Sequence, residues 1–163
     1  MRAVVADTSP INYLVLIGEI GILHDLWRRI LIPKEVFREL TDSGSPPAVR
    51  EWATTHPEWL EVRDVAEVGT ALLTLDAGEA SAIALAESEP DVLLLIDDAA
   101  GRREAARRKI PNTGTLGILR AAAEQNLLDL PSVLDRLLAT NFRVSRQLVA
   151  ELVAEDSRRR QAR

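Results

Sequence analysis

The chain has 163 residues, 47% of them hydrophobic, with 25 acidic and 20 basic residues for a net charge of -5, two histidines and no cysteine. That length suits one substantial core and is short for two, the missing thiols exclude disulfides and cysteine nucleophiles, and the acidic balance argues against a general nucleic-acid coat protein. No apolar run approaches the roughly 18 residues of a membrane span and the opening residues do not read as a signal peptide, so a soluble, cytoplasmic protein is expected.

The opening run Ala3-Val4-Val5-Ala6 reads as a buried strand that delivers Asp7, Thr8 and Ser9 at its carboxyl end. Asp7 or Ser9 is also well suited to capping the next helix. Two helical pieces follow, over Ile11–Ile17 and Ile20–Arg29. His24 and His56 have no second histidine beside them and read as ordinary histidines, not ligands. Ile30-Leu31-Ile32 is a second apolar run, and Pro33 is placed to start a helix at Lys34. In that helix Glu35 and Glu39 share a face; Glu39, the deeper, is the better candidate for a functional carboxylate, against an exposed glutamate as the plain alternative. A Gly, Ser and Pro-rich loop over Asp42–Pro47 precedes a short helix at Ala48–Thr55 and an edge strand at Trp59–Val62. Trp52 and Trp59 read as lone packing residues, and Asp64–Thr74 reads as a poor helix or a loop.

Asp76 and Glu79 have the spacing of a capping box at the start of an alanine-rich helix, which puts Glu79 in the first turn of a closely packed element. Val92-Leu93-Leu94-Leu95-Ile96 is the strongest strand, apolar on both faces as a central parallel strand must be, and it ends in Asp97-Asp98. Successive side chains on an extended backbone alternate, so one of these acids lines a site while the other caps the helix from Ala99 to Lys109. That helix carries Arg102, Arg103, Arg107, Arg108 and Lys109, a cluster fit to hold a phosphate backbone or else a solvated helix face. Thr115 begins the helix Leu116–Gln125, where its hydroxyl can cap or hold water or phosphate. Two amphipathic helices close the chain, over Pro131–Ala139 and Val144–Ala154, followed by a frayed Arg-rich tail.

Strands alternating with helices predict a three-layer α/β/α sandwich with a mostly parallel sheet, in which ligands bind outside the carboxyl ends of the strands. Asp7, Asp97 or Asp98, Glu79 and Thr115 then share one edge, and Glu39 joins them if its helix passes alongside. Gathered carboxylates without histidine or cysteine call for Mg²⁺ or Mn²⁺, and the chemistry they suit is metal-assisted attack of water on a phosphodiester.

The segments Asp7-Thr8-Ser9, Ile32 to Leu40, Gly78 to Ala84, Leu95 to Arg102 and Gly114 to Gly117 together resemble the PIN-domain family, in particular the small prokaryotic nucleic-acid-binding proteins related to VapC-type toxin ribonucleases. The resemblance runs in order from Ala3 to about Glu155, and so implies a single PIN-like domain over 1–155 with the Arg-rich tail at 156–163. It further implies an Mg²⁺- or Mn²⁺-dependent ribonuclease, RNA as substrate, a homodimer and a partner antitoxin. By matching motif, Asp7, Glu39, Glu79 and Asp97 inherit the acidic roles with Asp98 in support, while Ser9 and Thr115 inherit positioning of ligands or water. The chain departs from the better-studied toxins by placing Leu95-Ile96-Asp97-Asp98 where a Thr-x-Asp precedes the last ligand. The alternatives are a noncatalytic nucleic-acid-binding or regulatory protein on the same fold, and a metal-dependent phosphatase or phosphoryl-transfer protein. The last is disfavoured by Ser9, which stands where an aspartate-nucleophile phosphatase wants its second aspartate.

Overall fold

The computed structural model describes residues 2–69, 72 and 74–163. Among the described residues, five short strands form one all-parallel sheet in the order β3-β2-β1-β4-β5. They are β1 (Ala3–Ala6), β2 (Ile30–Pro33), β3 (Leu60–Arg63), β4 (Val92–Leu95) and β5 (Asn112–Thr113). The central three are built from aliphatic residues because both of their faces are covered. Val5 pairs with Leu31 on one side and Leu94 on the other. Those three point to one face, where they pack with Ile96 against Ala82, Ile83 and Ala86 of α5 (Ala77–Glu87) and Ala105 of α6 (Ala99–Arg107). Small side chains on α5 allow this close approach to the sheet.

Pleat alternation sends Val4, Ala6, Ile30, Ile32 and Leu95, all at most 1% exposed, to the opposite face. Right-handed crossovers place α1 (Thr8–Leu16), α2 (Ile22–Trp27), α3 (Lys34–Thr41) and α4 (Pro47–Thr55) there, since the chain moves from β1 to β2 to β3 in one direction and from β4 to β5 in the other. The result is the α/β sandwich expected from the sequence. It also creates a switch point, because the connections leaving the sheet between β1 and β4 diverge.

The strands and helices lie close to their expected positions, with three differences. The stretch Asp64–Thr74 is irregular over 64–69, and Thr70, Ala71 and Leu73 lie outside the described residues. Trp52 and Trp59 are not lone packing residues: their rings lie 5.8 Å apart, and His24 stacks on Trp59 at 5.9 Å. The frayed tail is replaced by helix.

The chain divides into two compact units, Met1–Thr115 and Leu116–Arg163. In the second, α7 (Thr115–Glu124), which starts on the last residue of the first unit, is followed by α8 (Leu130–Leu138) and α9 (Arg146–Gln161). Ser145 caps α9, its hydroxyl accepting from the Leu148 amide at 3.1 Å. The helix runs on through the arginines because Asp156, 3% exposed, pairs with Arg159 and Arg160. Arg163 then donates to Asn126 Oδ1 and to the Glu124 carbonyl. These ion pairs and hydrogen bonds order what composition alone reads as a solvated end. None of the described helices is long and apolar enough to cross a membrane.

Candidate active site

Asp7 leaves β1 at the switch point. Its amide donates to the Leu95 carbonyl at 2.9 Å, which holds the residue against β4, and its φ of -82° and ψ of 172° are those of an N-cap. The side chain does no capping. Instead Asp7 is 4% exposed and its Oδ1 is buried with no hydrogen-bond partner. Burial pushes the carboxyl from its ordinary 3.8 up to about 8; the Thr8 amide works against this, and the charges of Asp76, Glu79 and Glu39 add to it. An unpartnered buried carboxylate oxygen among other acids costs folding energy, which cap geometry would have avoided.

Glu39 reaches the same edge from the sixth position of α3. It accepts a hydrogen bond from the Thr8 hydroxyl through Oε2. A glycine makes this position possible. A Cβ at Gly78 would lie 2.5 Å from Glu39 Oε1, 2.8 Å from Oε2 and 2.9 Å from Cδ, so the carboxylate occupies the space a side chain would fill. Gly78 thus joins the acid of α3 to the first turn of α5. The next residue, Glu79, stands in the capping box predicted for it: its amide donates to Asp76 Oδ1 at 2.8 Å, and its own Oε2 accepts from the Asp76 amide at 3.4 Å. Burial, then the charges of Asp76 and Asp98, raise Glu79 from 4.5 to about 7.

The paired aspartates after β4 separate as strand alternation requires. Asp98 is exposed and caps α6, accepting from the Gly101 amide at 3.0 Å. Asp97 turns toward Asp7's helix and the start of α7. Its Oδ2 accepts from Ser9 Oγ at 2.9 Å and Thr115 Oγ1 at 2.7 Å, and its Oδ1 from the Thr115 amide at 2.7 Å. Ser9 and Thr115, expected to position ligands or water, here position a carboxylate. Gly114 repeats the device seen at Gly78, since a Cβ there would meet Asp97 Oδ1 at 2.6 Å. Tyr13 lies close enough to Asp97 that the carboxylate charge, after burial, raises its phenol.

Of the predicted basic cluster, Arg102 alone is seen beside this edge. Its Nη1 is 3.5 Å from the point a Gly114 Cβ would occupy, and its Nε donates to Asn112 Oδ1 at 3.4 Å. Arg107 and Arg108 are held by Glu104, and Arg108 also by Glu87. Arg103 is exposed, and Lys109, with a left-handed φ of 60°, stands in the turn after α6. These five residues therefore do not form one uniform phosphate-binding face, because Glu104 of the same helix and Glu87 of α5 neutralise part of it.

The acids suit a hard divalent cation in donor type, and the orphaned Asp7 Oδ1 is a buried oxygen that lacks a positive partner. Among the described residues no three acids or histidines already stand in a metal-holding group; Glu39, Glu79 and Asp97 are each turned to a hydrogen-bond donor of the chain. Comparison with known families bears on this arrangement. A family model described as PIN domain matches residues 3–157. The chain belongs to the PIN-domain family. PIN domains are generally nucleases that use divalent metals, and in this PIN domain the match covers every acid at the switch-point edge. No curated protein sequence matches the chain at a significant level.

Glycines 78 and 114 are the functional positions that sequence reasoning passed over. Both lie in segments that carry the family resemblance, yet nothing local marks them as seats for a carboxylate from elsewhere in the chain. Tyr13 was likewise passed over, and Thr8, read as a hydroxyl at the end of the first strand, was given no carboxylate to hold, because Asp97 and Glu39 are remote in sequence.

Proposed function

We propose that this PIN domain hydrolyses RNA phosphodiester bonds with Mg²⁺ or Mn²⁺. The observation that carries the reading is the buried, unpartnered Asp7 Oδ1 beside Glu39 and Glu79, both charges that raise the Asp7 carboxyl. Asp7, Glu39, Glu79 and Asp97 would hold the cation, which when bound supplies charge for the phosphate oxygens and acidifies water. Asp98 adds its charge beside Glu79 from the α6 cap.

The residues themselves do the rest. Glu79, a carboxylate in the first turn of α5, orients the attacking water and takes its proton. The water oxygen bonds to phosphorus, the bond from phosphorus to the leaving oxygen breaks, and that oxygen takes its proton from solvent. Ser9 and Thr115 hold the Asp97 carboxylate in one orientation, and Gly78 and Gly114 keep the space in which Glu39 and Asp97 sit. Arg102 is the cation placed to meet the phosphate.

The test is cleavage of structured and single-stranded RNAs by wild type and Asp7→Asn with Mg²⁺ or Mn²⁺. Loss in the folded variant supports the assignment. Equal activity in both proteins rejects it, and no activity in either, with RNA still bound, supports the noncatalytic nucleic-acid-binding alternative. The resemblance to VapC-type toxins extends the proposal to a cytoplasmic homodimer held by an antitoxin, for which growth arrest on expression is the corresponding assay.

A further inference from the structure

The carboxylate edge is adjoined by an open cleft of about 500 Å³, in which Glu39 is the one acid also assigned to the cation. Thr8 and Glu39 form its boundary with the acids; Asn12, Arg38, Asp42 and Ser45 line the remainder. Its size lies within the roughly 300–1,000 Å³ of small-ligand sites. Asn12 stands one helical turn after Thr8 on α1, so both face the same way. Arg38 precedes Glu39 on α3. The loop beyond α3 is tied in place: Asp42 Oδ2 accepts from the Gly44 amide at 2.9 Å, and the Asp42 carbonyl accepts from the Ser45 amide at 3.0 Å.

Among the described residues the Asn12 amide, the Arg38 guanidinium and the Ser45 hydroxyl make no bond within the chain; Arg38 is exposed and the other two are half-buried. An amide, a hydroxyl and a guanidinium thus line one cleft, each open to solvent and able to exchange water for a ligand. The wall also carries Glu39 and Asp42, whose charges disfavour an anion inside it. A nucleic-acid strand resolves this conflict, because its bases are neutral and its phosphates are not. The base enters, and the phosphate stays at the rim with Arg38.

We infer that this cavity is a subsite for one unstacked nucleotide next to the scissile phosphate, with Asn12 and Ser45 reading the base edge and Arg38 holding the flanking phosphate. This rests on the ribonuclease reading of the neighbouring acids. It places base reading on the α1–α3 side of the site, apart from the α6 arginines, two of which are paired with Glu104 and Glu87. An asparagine amide offers a donor and an acceptor side by side, the pattern that distinguishes one base edge from another.

The experiment measures fluorescence anisotropy of labelled single-stranded RNA hexamers, varied at one central nucleotide, on the Asp7→Asn protein in EDTA. On that background Asn12→Ala is expected to weaken the preferred hexamer about tenfold and to flatten the base preference. Asn12→Asp, which replaces a donor by an acceptor in the same shape, changes which base is preferred. Arg38→Ala weakens all hexamers alike and lowers the salt slope by about 0.7. Arg29→Ala, at the opposite, amino edge of the parallel strands, leaves binding unchanged and controls for charge. Thermal melting of each variant separates misfolding from lost binding.

If folded Asn12 and Arg38 variants bind with parental affinity and preference, the subsite is wrong even when wild type cleaves RNA and Asp7→Asn does not. If base preference depends on Asn12 while wild type cleaves nothing, the subsite stands and the hydrolytic reading falls.

Discussion

Asp7→Asn is predicted to stabilise the metal-free protein, and increasingly so as pH rises. Asp7 titrates at about 8 in the folded chain against an ordinary 3.8. The folded state therefore holds the proton more tightly than the unfolded state. The resulting stabilisation is complete below pH 3.8 and is lost as pH rises through about 8, so folding weakens across that window. Between pH 5.5 and pH 9 the loss amounts to about 3 kcal/mol, on the order of 1.4 kcal/mol per unit over the part of the shift not yet lost at the lower pH. Asparagine keeps the shape and never ionises. Glu79 shifts in the same direction but is more solvent-exposed, which shrinks its contribution, and it is present in both proteins. Urea denaturation in EDTA at both pH values, wild type against Asp7→Asn, reads the difference. Mn²⁺ should then restore wild type at pH 9 and leave the variant unmoved, with a gain of about 2.7 kcal/mol at a hundredfold excess over its Kd. Parallel stability curves for the two proteins in EDTA would refute the account of Asp7 as a buried, uncompensated carboxyl.

Gly78→Ala separates site geometry from helix stability. Alanine favours helix by up to about 1 kcal/mol, whereas its Cβ lands 2.5 Å from Glu39 Oε1 and must displace that carboxylate. Stability by chemical denaturation is expected to change by less than about 1 kcal/mol, and RNA cleavage to fall on the order of a hundredfold, the cost of a misplaced catalytic group. Asp97→Asn should abolish cleavage, while Asp98→Ala, which removes a cap accepting from Gly101, should cost about 1 kcal/mol of stability and leave cleavage within a few-fold; the reverse ranking in a paired cleavage and melting assay would exchange their roles. Asp156→Ala leaves Arg159 and Arg160 without their shared acid and is expected to destabilise the second unit by about 1–2 kcal/mol, read as lost helical circular dichroism on mild heating.

Local pattern was enough to locate most elements of this protein. Uninterrupted aliphatic runs at Val4-Val5, Ile30 to Ile32 and Val92 to Ile96 can be satisfied only by strands covered on both faces, and the Asp76 and Glu79 spacing marks a helix start wherever it occurs. The parallel sheet and the gathering of acids at its carboxyl edge follow from those runs together with the handedness of crossovers. Roles that depend on empty space or on a remote partner lay beyond that reach. Asp7 is as good a cap by residue type as Asp98, and only burial between β1 and β4 leaves its Oδ1 unpartnered while Asp98 accepts from Gly101. The arginines of α6 look alike in sequence, yet Glu87, twenty-one residues from Arg108, shares with Glu104 the task of neutralising two of them. Glycines 78 and 114 have ordinary neighbours, and their purpose exists only once Glu39 and Asp97 arrive from other elements. Periodicity and caps act over a few residues and are written locally; burial, charge pairing and excluded volume are sums over whatever the fold brings near, and only tertiary structure could decide them.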